Sequence, residues 1–235
     1  MEHDINHLGQ PVGFSCRHWR PPDPPSRRTH VGRYCLLEPL EVDRHGAQLY
    51  EAFSLDVEGR DWTYLPYGPF QSEAEFLEWV RQVSPLNDPL FFAIVDRASQ
   101  RAEGVANYLR ITPASGSIEV GHIHYSPRLK GTAAGTEAMY LMMKHAFELG
   151  YRRYEWKCDA LNANSRKAAL RLGFTFEGIF RQATVYKGRN RDTAWYSVID
   201  REWPQLERAF LCWLDPANFD EHGRQRKRLQ ELRSW

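Results

Sequence analysis

No run of apolar residues in the sequence approaches the roughly 18 that a membrane-spanning helix needs. The first ten residues, MEHDINHLGQ, lack the apolar segment of a secretory signal peptide. The cysteines are scattered and form no Cys-x-x-Cys pair, which is typical of reduced thiols and not of a disulfide framework. These absences favour a cytoplasmic protein without a membrane partner.

A surplus of one charge sign is also absent, because 31 basic residues stand against 30 acidic ones and leave a net charge of +1. Binding to a nucleic-acid backbone needs a concentrated positive face, so this balance argues against a nucleic-acid partner. Aromatic residues make up 13% of the chain, which excludes the composition of a disordered protein. A chain of 235 residues is long enough to bury one substantial core.

Three regions are expected along the chain. Residues 1–30 are predicted to form an irregular arm, because PPDPPSRR at 21–28 contains four prolines. Residues 31–214 are expected to form a single domain, and residues 215–235 a basic, helical tail. Hydrophobic periodicity predicts strands at 33–40, 89–96, 104–111, 117–125, 151–159, 174–182 and 193–200, and helices at 43–57, 72–83, 133–149, 162–172 and 204–213. This order indicates a mixed sheet with helices on both faces.

The stretch PRLKGTAAGTEAMY at 127–140 places small residues between a predicted strand and a predicted helix. A helix N-terminus presents free N–H groups and a partial positive charge, and small side chains let a phosphate reach them. The stretch is therefore a candidate diphosphate site. The alternative is a tight turn whose small residues serve close packing. It matches neither a Walker loop nor the dinucleotide motif GxGxxG.

Two motifs in this order and spacing resemble those of the GNAT superfamily of acyl-CoA-dependent N-acetyltransferases. The first is Pro127 followed by the family pattern Arg/Gln-x-x-Gly-x-Gly/Ala, which fits residues 128–133 literally. We prefer the register 130–135, because it keeps the family's spacing from Pro127. The second motif is Asn162-Ala-Asn-Ser165, eight residues before Gly173-Phe174. The resemblance covers residues 33–205 and is closest to the ribosomal-protein-alanine acetyltransferase-like (RimJ/RimL-like) branch.

This resemblance implies an α/β GNAT fold, with a mixed and mostly antiparallel central sheet of about seven strands and helices on both faces. It also implies a splay between the fourth and fifth strands, here 117–125 and 151–159. The expected activity is acetyl-CoA-dependent N-acetylation of a primary amine, either a small molecule or a peptide α-amine, by direct attack in a ternary complex. The alternative is a catalytically degenerate domain that binds acyl-CoA as a sensor or interaction module. Both a monomer and a homodimer are open.

The resemblance also assigns roles to single residues. The backbone N–H of Ile123 would bind the oxyanion, and Tyr125 would lie on the strand edge that pairs with pantetheine. Asn162 would bind a pantetheine amide and Ser165 the leaving thiolate, whereas the alternative for both is a local role at the helix N-terminus. The diphosphate site would comprise Lys130, Gly131, Thr132, Ala133, Ala134 and Gly135.

Glu119 is the candidate general base, because it lies in an otherwise apolar strand and by strand parity shares a face with Gly121 and Ile123. The alternative is a buried glutamate paired with an arginine or a tyrosine hydroxyl. His122 and His124 are the rival bases, since a β-bulge would turn them onto the face of Glu119. Their His-x-His spacing lacks a third ligand, so we expect no metal.

The acceptor pocket is expected in the aromatic loop at 61–70, whose candidate lining residues are Trp62, Tyr64, Tyr67 and Phe70. The alternative is that these side chains form an aromatic cluster that covers the sheet. Trp156, Lys157 and Asp159, near the end of a predicted strand, could also reach the site. Lys187, Arg189 and Arg191 are interpreted as a solvated hairpin tip.

Overall fold

The computed structural model describes residues 3–233, and an eight-stranded sheet dominates it. The strands are β1 (His3–Ile5), β2 (Pro11–Gly13), β3 (His30–Val31), β4 (Cys35–Pro39), β5 (Leu90–Asp96), β6 (Arg101–Thr112), β7 (Ser117–Tyr125), β8 (Arg153–Asp159), β9 (Thr175–Tyr186) and β10 (Arg189–Ile199). The helices are α1 (Val42–Phe53), α2 (Glu73–Val83), α3 (Ala133–Glu148), α4 (Ala163–Arg171) and α5 (Trp203–Leu214).

The strand order of the main sheet is β3-β4-β5-β6-β7-β8-β10-β9. All neighbours are antiparallel except β7 and β8, which α3 connects as a crossover. Helices α3, α4 and α5 cover one face, and α1 and α2 cover the other. The expected mixed, mostly antiparallel sheet is thus confirmed, and the strand beyond the expected seven is the two-residue β3.

The parallel pairing of β7 and β8 covers only half of β7. Residues 117–120 pair with 153–156, and no β8 partner follows for residues 121–125. The two strands therefore diverge at Gly121, which is the splay expected between them. An open strand edge results at the point where β7 leads towards the N-terminus of α3.

A β-bulge lies within this open half of β7. His122 and Ile123 together oppose the single residue Ala106 of β6, and His122 has a φ of 49°. A bulge of this kind reverses the alternation of side chains between the two faces. Ile123 and Tyr125 consequently pack on the α3 face.

The side chains of His122 and His124 lie on the opposite face, against the aromatic residues near α1 and α2. Glu119 precedes the bulge and occupies this same face, opposite Leu109 of β6. The prediction that Glu119 shares a face with Ile123 was therefore wrong. Simple parity fails because the inserted residue shifts the alternation by one position.

The two chain ends differ from expectation. The arm is not wholly irregular, because β1 and β2 form a hairpin and β3 joins the main sheet. The described part of the tail contains no α-helix, only single 3-10 turns at Pro216–Asn218 and Glu231–Arg233. Asn218 explains the tail's path, since its side chain binds the backbone of Trp213 and Lys227 and so holds a turn in place of a helix. Within residues 3–233, no helix is long and apolar enough to cross a membrane.

Candidate active site

Two clefts meet where β7 and β8 diverge. The larger cleft, of about 1060 Å³, runs along the N-terminus of α3. The smaller cleft, of about 240 Å³, contains Glu119, His122 and Lys157. Ile123 and Ser165 line both clefts. A ligand in one cleft can therefore reach a ligand in the other through the gap between the strands.

The N-terminus of α3 supplies a backbone surface to the larger cleft. Thr132 is the N-cap, and its hydroxyl accepts a hydrogen bond from Gly135 N at 3.1 Å. Gly131 has a φ of 74°, and the space beside its Cα is open. The N–H groups of Ala133 and Ala134 have no acceptor one turn earlier, so they are available to an anion, whereas that of Gly135 is taken by Thr132. The open space beside Gly131 and the unpaired N–H groups together suit the binding of a diphosphate at the N-terminus of α3.

The predicted diphosphate residues do not all face the larger cleft. Lys130, Gly131, Thr132, Ala133 and Gly135 line it. Ala134 is instead buried in the core under α3, so only its backbone can contribute. The Lys130 ammonium forms an ion pair with Asp61, a residue of the aromatic loop that lines both clefts.

Tyr125 and Ile123 lie together on the open edge of β7, as predicted from the family pattern. The Tyr125 hydroxyl donates to Gly135 O at 2.7 Å, which joins the strand edge to the start of α3. Burial raises the pKa of Tyr125 far above its usual range, so the phenol stays protonated. The edge is thus held in place beside the surface that α3 provides.

Asn162 and Ser165 face the junction from α4. The Asn162 side chain accepts a hydrogen bond from Ser165 N at 3.0 Å, which makes it the N-cap of α4. The Ser165 hydroxyl accepts from Trp156 Nε1 at 3.0 Å. Its own O–H is within hydrogen-bond reach of the Cys158 sulfur. Both side chains therefore have a local role and also line both clefts.

Glu119 is buried in the smaller cleft and is fixed by two cations. Its Oε2 accepts hydrogen bonds from Arg110 Nη1 at 2.6 Å and pairs with Lys157 Nζ at 3.0 Å. Lys157 also pairs with Glu155 at 2.8 Å and lies 3.7 Å from the ring centroid of Trp195. The second oxygen, Oε1, points towards Gly121 and has no hydrogen-bond partner among the described residues. A positioned carboxylate with one free oxygen results.

His122 and His124, in the open half of β7, line different clefts. His122 Nδ1 lies 3.0 Å from the Tyr67 hydroxyl, and the ring lines the smaller cleft. His124 is buried and stacks on Trp62, with a centroid distance of 3.9 Å. Burial lowers the pKa of His122 to about 4 and that of His124 to about 3. Both imidazoles are therefore neutral at neutral pH.

The aromatic loop divides into two groups. Tyr64 lines both clefts, and its hydroxyl donates to Leu161 O at 3.3 Å. Trp62 is buried, and Tyr67 and Phe70 pack around it in an aromatic cluster that continues into α2. These three do not line the smaller cleft, so the geometry favours the packing alternative for them.

Several residues of the clefts escaped the sequence reasoning. Arg110 and Arg191 line the smaller cleft, although Arg191 was interpreted as part of a solvated tip. Trp213, Phe219 and Arg224 line the larger cleft from the C-terminal part of the chain. The tail lies outside the two motifs, so its basic composition was the one sequence feature that could have indicated a role in binding. Among the described residues, no group of three or more His, Cys, Asp and Glu could hold a metal ion.

Comparison with known proteins agrees with this geometry. The model of the acetyltransferase (GNAT) domain matches residues 35–175. A GCN5-related N-acetyltransferase from Brucella melitensis has a structure with a TM-score of 0.91 and 49% identity, over 92% of this chain and 99% of that one. The ribosomal-protein-serine acetyltransferase of Escherichia coli is 30% identical over 101 residues, which are 42% of this chain and 56% of the relative.

The fold alone is shared with the microcin C7 self-immunity acetyltransferase MccE, whose structure contains acetyl-CoA and AMP. Its TM-score is 0.63 at 20% identity, over 72% of this chain and 93% of that one. GNAT enzymes use acetyl-CoA. One distant relative, the Escherichia coli enzyme, is a ribosomal-protein-serine acetyltransferase, and the chain itself is a GNAT N-acetyltransferase.

Proposed function

We propose that this enzyme transfers the acetyl group of acetyl-CoA to a primary amine by direct attack while both substrates are bound. The observation that carries the proposal is the meeting of the two clefts at Ile123 and Ser165. A covalent acyl-enzyme would need a nucleophile at this point. Cys158 is the cysteine that lines the smaller cleft in the described residues, and burial raises its pKa, which disfavours the thiolate.

The larger cleft would hold acetyl-CoA, with its diphosphate against residues 130–135 and its pantetheine arm along the open edge of β7. The side chain of Lys130 and the first N–H groups of α3 provide positive charge there. Bound acetyl-CoA supplies the thioester and the leaving thiolate. The Ile123 N–H is the candidate donor to the developing oxyanion, because Ile123 lies at the junction.

The smaller cleft would hold the acceptor amine. Glu119 Oε1 is the candidate atom to take the proton that the amine loses on attack, because Arg110 and Lys157 fix the carboxylate through its other oxygen. On the thiol side, the Ser165 O–H can donate to the leaving sulfur, while Trp156 holds the hydroxyl in place. Glu119 lines only the smaller cleft and Ser165 lines both, so proton uptake and proton donation would occur at different points of the junction.

An acceptor screen tests the function. Purified enzyme is incubated with acetyl-CoA and single amines, and the release of free CoA thiol is measured together with the mass of the acetylated product. Small primary amines and short peptides with a free N-terminus form two separate arms, since a relative is named for a ribosomal-protein serine. Acetyl-CoA binding by calorimetry without product from any amine would contradict the catalytic proposal and leave the degenerate binding domain.

A further inference from the structure

The side chain of Arg191 lines the smaller cleft with most of its donors unused. Its Nε donates to Thr193 Oγ1 at 3.1 Å. The guanidinium carbon lies over the Tyr186 ring, 5.8 Å from the ring centroid. Within residues 3–233, no carboxylate lies at ion-pair distance from Arg191, and its Nη1 and Nη2 atoms have no hydrogen-bond partner. A guanidinium in this state presents a planar fork to the cleft.

Arg110 brings a second guanidinium to the same cleft. Only its Nη1 is engaged, with Glu119, and 60% of the side chain is exposed. His122 lies within the electrostatic influence of both arginines, which add to the lowering of its pKa by burial. The two cations therefore line one cleft with a neutral imidazole, and the described residues pair neither completely. A built cluster of this kind is suited to an anionic group.

The cleft is small, and the β9–β10 hairpin packs beside it. Its volume of about 240 Å³ is below the range typical of sites for drug-sized ligands. Lys187, at the tip of the β9–β10 hairpin, donates to Trp62 O at 2.8 Å and so joins the hairpin to the aromatic loop. Tyr186 donates to Asp159 Oδ2 at 2.9 Å and joins the same hairpin to the end of β8. The small volume favours a small molecule over the extended chain of a protein N-terminus.

We propose that the acceptor is a small amine that also carries an anionic group, a carboxylate or a phosphate, and that Arg191 with Arg110 binds this group. The amine would then lie towards Glu119 and the junction at Ile123. This inference rests on the proposed acetyl transfer and adds the class of acceptor. A guanidinium fork recognises either a carboxylate or a phosphate in bidentate fashion, so both sources share one chemistry.

Matched acceptors test the inference. Amino acids are compared with the corresponding amino-acid amides, and O-phosphoethanolamine with ethanolamine, in the CoA-release assay. We expect the anionic member of at least one pair to have a kcat/KM at least about tenfold higher, as for a lost charge-assisted hydrogen bond. Arg191→Gln should remove most of this preference by raising the KM of the anionic acceptor, while the neutral acceptor changes little.

Two further variants sharpen the result. Arg191→Lys keeps the charge without the fork and should give an intermediate preference. Arg189→Gln removes an exposed arginine of the same strand that does not line the cleft, and should leave both acceptors unchanged. Equal use of charged and neutral acceptors, an equal effect of Arg191→Gln on both, or preference for peptides would each overturn this inference alone. No CoA release with any amine would overturn the acetyl transfer itself.

Discussion

Glu119 carries the proposed proton transfer, and its setting makes the role testable. If Oε1 accepts the proton of the amine, Glu119→Gln should lower kcat by roughly 10²–10⁴, the contribution of a positioned base. Acetyl-CoA affinity should stay unchanged, because Glu119 does not line the larger cleft. Steady-state kinetics and calorimetry on the variant measure the two effects separately.

The matched control is Glu155→Gln, which removes a neighbouring carboxylate of Lys157 that does not line the smaller cleft. This variant should keep most of the turnover. An equal loss in both variants would mean that the charge network is structural and that Glu119 is not the base. If Glu119→Gln kept a near-normal kcat and His122→Asn lost most of its kcat, the general base would be the His122 imidazole, which the bulge turns into the smaller cleft.

Asn162 combines a structural and a binding role that two substitutions can separate. Asn162→Asp keeps the oxygen that caps α4 but loses the amide N–H₂ donor, whereas Asn162→Ala loses both. We expect a several-fold rise in the KM for acetyl-CoA in both variants, in line with about 0.5–1.5 kcal/mol for one hydrogen bond. Only the alanine variant should show a clearly lower Tm. Unchanged KM values in a destabilised alanine variant would leave Asn162 as a cap alone.

Among the elements, the N-terminus of α3 is the proposed diphosphate site. Ala133→Glu should weaken acetyl-CoA binding at least about tenfold, because the new side chain enters the larger cleft and repels the phosphates. Ala133→Gln has nearly the same shape without the charge and separates the steric part from the electrostatic part. Calorimetry on the folded variants gives the affinities. Equal affinity in wild type and both variants would place the diphosphate elsewhere.

The C-terminal tail is a second element of the larger cleft. Arg224 lines this cleft and has an exposed side chain, so it is a candidate for the 3′-phosphate of CoA. Arg224→Gln should weaken acetyl-CoA binding about three- to tenfold and leave 3′-dephospho-acetyl-CoA unaffected. Arg226→Gln is the control, since Arg226 is an exposed tail residue that does not line the cleft. An equal effect of Arg224→Gln on both forms of the cofactor would contradict this assignment.

The sequence predicts most of the helices and strands, but it does not predict the contacts between segments that are distant along the chain. The helix at the small-residue stretch and the cap at Asn162 were predictable, because local residue types determine them. The bulge at His122 has no local signal, and it alone moved Glu119 and the histidines onto one face. Arg191 reaches the cleft because the hairpin folds back onto the aromatic loop, a contact between residues 125 positions apart in numbering that periodicity cannot predict.

Across the whole molecule, four histidines are held neutral in two separate places. His122 and His124 lie under the aromatic loop, and His30 and His145 lie between the arm and α3. Burial lowers the pKa of His30 and of His145 to about 4, and nearby charges add to both shifts. Arg28 donates to His145 Nδ1 at 2.9 Å, which requires the lone pair of a neutral ring. The arm thus depends on an uncharged His145.

The direction in which the free energy of unfolding changes with pH follows from the protonation of these histidines in the folded and unfolded states. Between pH 6.5 and about 4 the unfolded chain binds protons at these histidines and the folded protein does not, so acid favours unfolding. The free energy of unfolding should therefore be largest above pH 6.5 and fall as the pH drops towards 4. Each such histidine contributes up to about 1.4 kcal/mol per pH unit within this window.

Urea unfolding at pH 7 and pH 5 measures this dependence in wild type, His145→Gln and His222→Gln. The glutamine at 145 can still accept the hydrogen bond of Arg28 but cannot titrate, so this variant should lose less stability between the two pH values, by up to about 2 kcal/mol. His222 is an exposed histidine of the tail, so its replacement should leave the wild-type difference unchanged. An identical pH dependence in wild type and His145→Gln would mean that the contact between the arm and α3 tolerates a charged imidazole. The acid sensitivity would then be assigned to the other buried histidines, which are His30 and the two under the aromatic loop.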